Sequence, residues 1–145
     1  MSRRVGPGGS AQARRNDSAR SGDGNWTRWR PEADHVGVIL IVVKFPVRSE
    51  HVDEWPSLAD EYTRAVRAEE GSLFFEWSRS VEEPDTYVLV EGFRDAAAGT
   101  AHVATQAFKD FVERAPDYVA AQPQIIYVDA PDVAGWGPMG EIQPR

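Results

Sequence analysis

Three side chains in this sequence have types and settings suited to chemistry: His102, Glu91 and Arg79. An imidazole with an ordinary pKa of about 6.5 exchanges a proton near neutral pH, so His102 is the natural general base. Its plainer reading is a histidine that bonds a backbone carbonyl between two helices. Glu91 stands in the middle of an apolar run, TYVLVEGF, where an acid must pair or lie in a cavity. It is either a partner for Arg79, Arg94 or His102, or a functional group itself. Arg79 lies close to Trp77 and Tyr87 and is either a cation for an anionic ligand or a solvated hairpin end. Phe75, Trp77, Tyr87 and Phe93 are suited to stacking on a flat aromatic substrate, although such a stripe on a strand is more often plain core.

One stretch, from Gly71 to Phe111, positions all of these. Ser72 to Ser80 and Thr86 to Phe93 are rich in aromatic and β-branched residues and are separated by the polar VEEPD, so they predict a hairpin. Pairing Ser80 with Thr86 places Leu73, Phe75, Trp77 and Arg79 on one face with Tyr87, Leu89, Glu91 and Phe93. The other face then carries Phe74, Glu76, Ser78, Val88 and Val90. Asp95 is placed to cap a following helix that would lay His102 over the aromatic face, and Thr105 to cap a second short helix. Upstream, Val36 to Val47 reads as a strand apolar on both faces. Ser49 is an expected N-cap, after which Trp55, Leu58, Ala59, Tyr62 and Val66 keep helical spacing as far as Glu69-Glu70-Gly71, with an irregular turn at Pro56. QIIYVDA, from Gln124, is the last strand. The order β-α-β-β-α-β predicts an α+β, ferredoxin-like antiparallel sheet with its helices on one face. The other face, also apolar, requires a cover, and an identical subunit is the expected one: a homodimer whose sheets close a barrel.

Composition narrows the function classes. The chain has 145 residues, 41% of them hydrophobic, and no cysteine, which allows one ordinary domain and excludes disulfides, thiolate metal sites and a cysteine nucleophile. A cytoplasmic location is the expectation, with no membrane partner, because the longest early apolar run is far too short to span a bilayer. Residues 1–34 carry a net charge of +3 and residues 35–145 one of −10, so the folded part is a poor nucleic-acid binder. These shifts divide the chain into a disordered or loosely docked basic tail at 1–34, a domain at 35–130 and a C-terminal tail at 131–145. Trp26 and Trp29, beside Arg28 and Arg30, are the tail's one unusual feature. Gly135 to Gly140 fits G-x-G-x-x-G, but no helix follows to hold a pyrophosphate. His35, His51 and His102 lie on different elements without ligand spacing, so no metal site is expected. Asp60-Glu61 and Glu69-Glu70 read as exposed helix charge, and no serine sits in a nucleophile elbow.

The order of elements, EEGSLFFEWSRS at the hairpin, YVLVEGFRD at the third strand and HVATQAF on the helix together resemble the antibiotic biosynthesis monooxygenase domain, over about Val36 to Asp129. WGPMGEI is similar to tails of its quinol monooxygenase type. The resemblance implies a dimeric α+β barrel that oxidises a quinol, anthrone or similar polyphenol with O2, using no cofactor. Such a reaction needs a base for the phenolic proton, a cation for the anion and a dry cavity. His102 matches the family's helix histidine, Arg79 is a candidate to steady a phenolate, and the four aromatic residues are candidate substrate contacts. A haem-degrading monooxygenase would use the helix histidine with an asparagine on the first strand and a tryptophan ending the third. Lys44 and Phe93 stand at or near those places instead. A non-catalytic binding protein on the same barrel is the third reading.

Overall fold

The computed structural model describes residues 37–133 and 135–145. The basic segment 1–34, with Trp26 and Trp29, lies outside the described residues. Four strands, β1 (Val38–Pro46), β2 (Ser72–Arg79), β3 (Thr86–Phe93) and β4 (Gln124–Ala130), form one antiparallel sheet in the order β2-β3-β1-β4. Helices α1 (Trp55–Leu58) and α2 (Asp60–Arg67) join β1 to β2, and α3 (Ala96–Ala104) and α4 (Gln106–Arg114) join β3 to β4. This is the expected β-α-β-β-α-β, ferredoxin-like arrangement.

The hairpin pairs as its alternation requires. Phe75 lies opposite Glu91, Trp77 opposite Leu89 and Arg79 opposite Tyr87, and Ser80 N–H donates to the Thr86 carbonyl at 2.9 Å. Leu73 departs from expectation. A register shift between Ser72 and Phe74 lifts it off the helix-covered face, and it is 45% exposed. The first helix also begins later than expected. Ser49 opens a short 3-10 turn and donates its hydroxyl to Asp85 Oδ2 at 2.7 Å instead of capping a helix. Pro56 falls in α1, and the chain resumes as α2 after Ala59.

On the helix side, Ile39, Ile41, Val43 and Phe45 of β1 and Tyr87, Leu89 and Phe93 of β3 pack beneath Trp55, Tyr62, Val66 and Phe111 to make the core. The other side is thinly covered. Leu40, Val42, Val88 and Val90 are half-buried, Trp136 of the C-terminal segment leans on Phe74 with ring centroids 5.6 Å apart, and Ile126 of β4 is 63% exposed. Among the described residues no helix is long and apolar enough to cross a membrane.

Candidate functional site

His102 reaches the core because two local features bring α3 down onto the sheet. Asp95 caps the helix, its carboxylate accepting from Ala98 N–H at 2.7 Å. Gly71, at the turn into β2, lies directly under α3; a Cβ there would collide with Ala98. The helix therefore closes on that turn, and His102 ends 2% exposed. Its ring rests on Phe93, centroids 4.7 Å apart, and meets Phe108 edge-on at 5.2 Å.

Both imidazole nitrogens have partners. Nδ1 lies 3.0 Å from Glu69 Oε1 and 3.2 Å from Oε2, and Nε2 lies 3.1 Å from Tyr62 Oη. A carboxylate only accepts, so the proton belongs on Nδ1, and Nε2 accepts from the tyrosine hydroxyl. Burial lowers the imidazole below its usual 6.5, against the opposing pull of the Glu69 carboxylate. The result is a neutral imidazole in one tautomer with its basic nitrogen inward. Burial, and then the charges of Glu91 and Glu69, raise the Tyr62 phenol well above 10, so it stays a donor.

Glu91 faces the helix layer from the middle of β3, 6% exposed. Burial first, and the charge of Glu69 second, push its carboxyl from 4.5 up to about 8, so it is protonated at neutral pH. Its Oε2 has no hydrogen-bond partner among the described residues. Of its two readings, pairing with a basic side chain is not found among the described residues, and Arg94 lies instead 3.6 Å from Glu70 and 3.4 Å from Asp95.

Arg79 is not brought to this group. It lies opposite Tyr87 while His102 sits over Phe93, six residues or about 20 Å along the strand. There it bonds the Pro84 carbonyl and Asp53, the latter at 3.0 Å, and closes the hairpin end. Phe75, Tyr87 and Phe93 are 1%, 7% and 1% exposed, so their rings are covered by other protein atoms. Trp77 is half-buried, donates its indole N–H to Thr63 Oγ1 at 2.9 Å, and packs on Phe45, Trp55 and Phe75. The stripe is thus part of the core, with only Phe93 in contact with His102.

Of the two other members of the cluster, Tyr62 lies in the core as its helical spacing predicts, but without having been singled out for the site, whereas Glu69 was expected as exposed charge. Glu69 instead has a side chain only 18% exposed and turned onto His102. A signal for it existed: Tyr62, Val66 and Glu69 stand at i, i+4 and i+7, so the line of the buried stripe of α2 leads to Glu69 in the turn just past the helix end. Among the described residues no three His, Cys, Asp or Glu side chains are grouped to hold a metal ion.

The comparisons with known proteins agree with this architecture. The family model for "Antibiotic biosynthesis monooxygenase" matches residues 38–114. A Bacillus subtilis protein named "Putative monooxygenase YcnE" is 28% identical over 89 residues, which cover 61% of this chain and 94% of that protein. A Caulobacter crescentus crystal structure described by the same family name is 26% identical with a TM-score of 0.62, covering 66% of this chain and 92% of its own. A Mycobacterium tuberculosis structure, 17% identical with a TM-score of 0.61 and covering 68% of this chain and 99% of its own, shares the fold.

Proposed function

From the premise that this chain belongs to the antibiotic biosynthesis monooxygenase family, we propose that it oxidises an electron-rich phenol, of the quinol or anthrone kind, with O2 and without a metal or flavin. The observation that carries this reading is His102, buried, neutral and held by Glu69 so that Nε2 is the basic atom. A phenol is a poor reductant and its anion a good one, so the protein's task is to remove one proton in a dry place. His102 Nε2 takes the hydroxyl proton, and Glu69 steadies the imidazolium that results. The anion's carbon gives an electron to O2 and joins the superoxide so formed. The resulting peroxide takes back the proton from the imidazolium, and the O–O bond breaks as the proton on the same carbon leaves with it as water, leaving a new carbonyl. Quinol plus O2 thus gives hydroxyquinone plus water, with one oxygen atom in each product.

Glu91, protonated at neutral pH, is suited to donate a hydrogen bond to the phenolate rather than to act as a base. This assigns to it the anion-steadying role first considered for Arg79. Phe93, in contact with the imidazole, is one aromatic residue placed to touch substrate. The working form is a homodimer, which supplies the cover that the second sheet face lacks. The haem-degrading alternative draws less support, because Lys44 pairs with Val88 on the sheet face away from His102 and is a surface side chain near Glu83.

The test is an oxygen-electrode trace with chelator-treated, flavin-free protein and hydroquinone. Uptake of O2 above the uncatalysed rate is expected. Uptake that begins only when iron, haem or flavin is added would overturn the proposal.

A further inference from the structure

The phenol that His102 already holds belongs to its own chain. Tyr62 Oη lies 3.1 Å from Nε2, and with Nδ1 taken by Glu69 this is the nitrogen left for a substrate. At 2% exposure His102 offers no open approach beside that contact. The Tyr62 ring lies flat on Phe111, with centroids 4.2 Å apart and planes 9° from parallel, and meets Phe75 edge-on at 5.5 Å. Its place is therefore a slot one ring thick with an imidazole at the polar end. Glu91 lies opposite Phe75, the ring that Tyr62 meets, and its Oε2 has no partner among the described residues. Away from the imidazole, Tyr62 lines a groove of about 670 Å³ between α2 and α4, with Ala65 and Ala107 among its walls and Glu61, Asp110 and Arg114 around it. That volume takes a tyrosine side chain with room to spare.

We infer that the slot filled by Tyr62 is the substrate's own subsite: a phenolic substrate takes the tyrosine's place on His102 Nε2, and Tyr62 moves into the groove it already lines. This rests on the reading of His102 as the base and adds where the substrate ring goes and what it displaces. A fused-ring phenol would put its hydroxylated ring in the slot and its remaining rings in the groove. The unpartnered oxygen of Glu91 then gains a partner in the substrate.

The test is binding of phenol and of toluene, read by calorimetry and by the NMR resonances of the His102 imidazole, with no turnover required. Tyr62→Phe keeps the stack on Phe111 and removes only the competing hydroxyl, so it should bind phenol about fivefold tighter than wild type, the worth of one hydrogen bond. Tyr62→Ala empties the slot and should bind phenol about tenfold tighter than toluene, with the imidazole resonances shifted by phenol. Weaker or unchanged phenol binding in Tyr62→Phe would overturn the inference, as would equal binding of phenol and toluene by Tyr62→Ala. If Tyr62→Ala does not fold, the sign of the Tyr62→Phe effect decides. A wild type that consumes no O2 would refute the monooxygenase reading and leave these binding results standing.

Discussion

Replacing Glu91 with leucine should make the protein more stable, by an amount that grows with pH. In the folded chain burial holds this carboxyl at about 8, against 4.5 for the free side chain. Between those values the native state keeps a proton that the unfolded state has released, so the stability of the wild type falls as pH rises. At about 1.4 kcal/mol per pH unit, the interval from 4.5 to about 8 corresponds to a penalty on the order of 5 kcal/mol. It is absent below the lower value and fully present above the upper one. The lowered imidazole of His102 acts with the opposite sign, because the folded protein resists a proton that the unfolded chain accepts below 6.5. That contribution is common to wild type and variant and cancels in their difference. Leucine brings no charge to bury and leaves no orphaned oxygen between Phe75 and the β1 strand. Urea unfolding of both proteins, at fixed concentration and in steps from about pH 4 to about pH 9, measures the difference. The gap should widen between pH 4.5 and about 8 and be level above that. A gap that stays flat would mean that the folded protein holds Glu91 ionised, and the assignment of a neutral donor would fail with it.

Substitutions at three further positions have outcomes set by the same geometry. Glu69→Gln should lower the His102 pKa further, since the carboxylate is what opposes burial there; an NMR titration of the imidazole measures it. The acid limb of the rate should move to lower pH in step, while Glu69→Ala should slow turnover about ten- to a hundredfold through loss of the group that orients the ring. Val90→Asp, on the thinly covered sheet face, should dissociate the proposed homodimer or render the protein insoluble; a wild type that is monomeric by light scattering at micromolar concentration would refute the assembly. Asp95→Ala removes the 2.7 Å bond to Ala98 N–H and should cost about 1 kcal/mol in urea unfolding.

The fold was legible because its signals are local and repeated. Alternation set the pairing of Phe75 with Glu91 and of Trp77 with Leu89, and two caps, Asp95 and Thr105, marked where α3 and α4 begin. What misled was local as well: Ser49 has an N-cap's chemistry but finds Asp85, and the irregularity at Leu73 depends on how β2 meets β3. The site was half legible. His102 and Glu91 were conspicuous as polar side chains in apolar settings. Glu69 and Tyr62 were not, because their partner lies 33 and 40 residues away in the chain and only the packing of α3 on Gly71 brings it near. Arg79 shares a face with Phe75 and Glu91, yet a strand face is about 20 Å long, and alternation alone does not tell which of its residues lie beside His102.

The central claim is that His102 Nε2 removes the substrate proton. It is tested most directly by comparing O2 consumption by wild type and His102→Ala, both chelator-treated and flavin-free, on the same quinol, with circular dichroism and light scattering showing that the variant keeps its fold and assembly. A loss of about 10² to 10⁴ in rate is expected, the usual worth of a positioned general base. Wild-type rates in a folded His102→Ala would contradict the account and move the base elsewhere in the molecule.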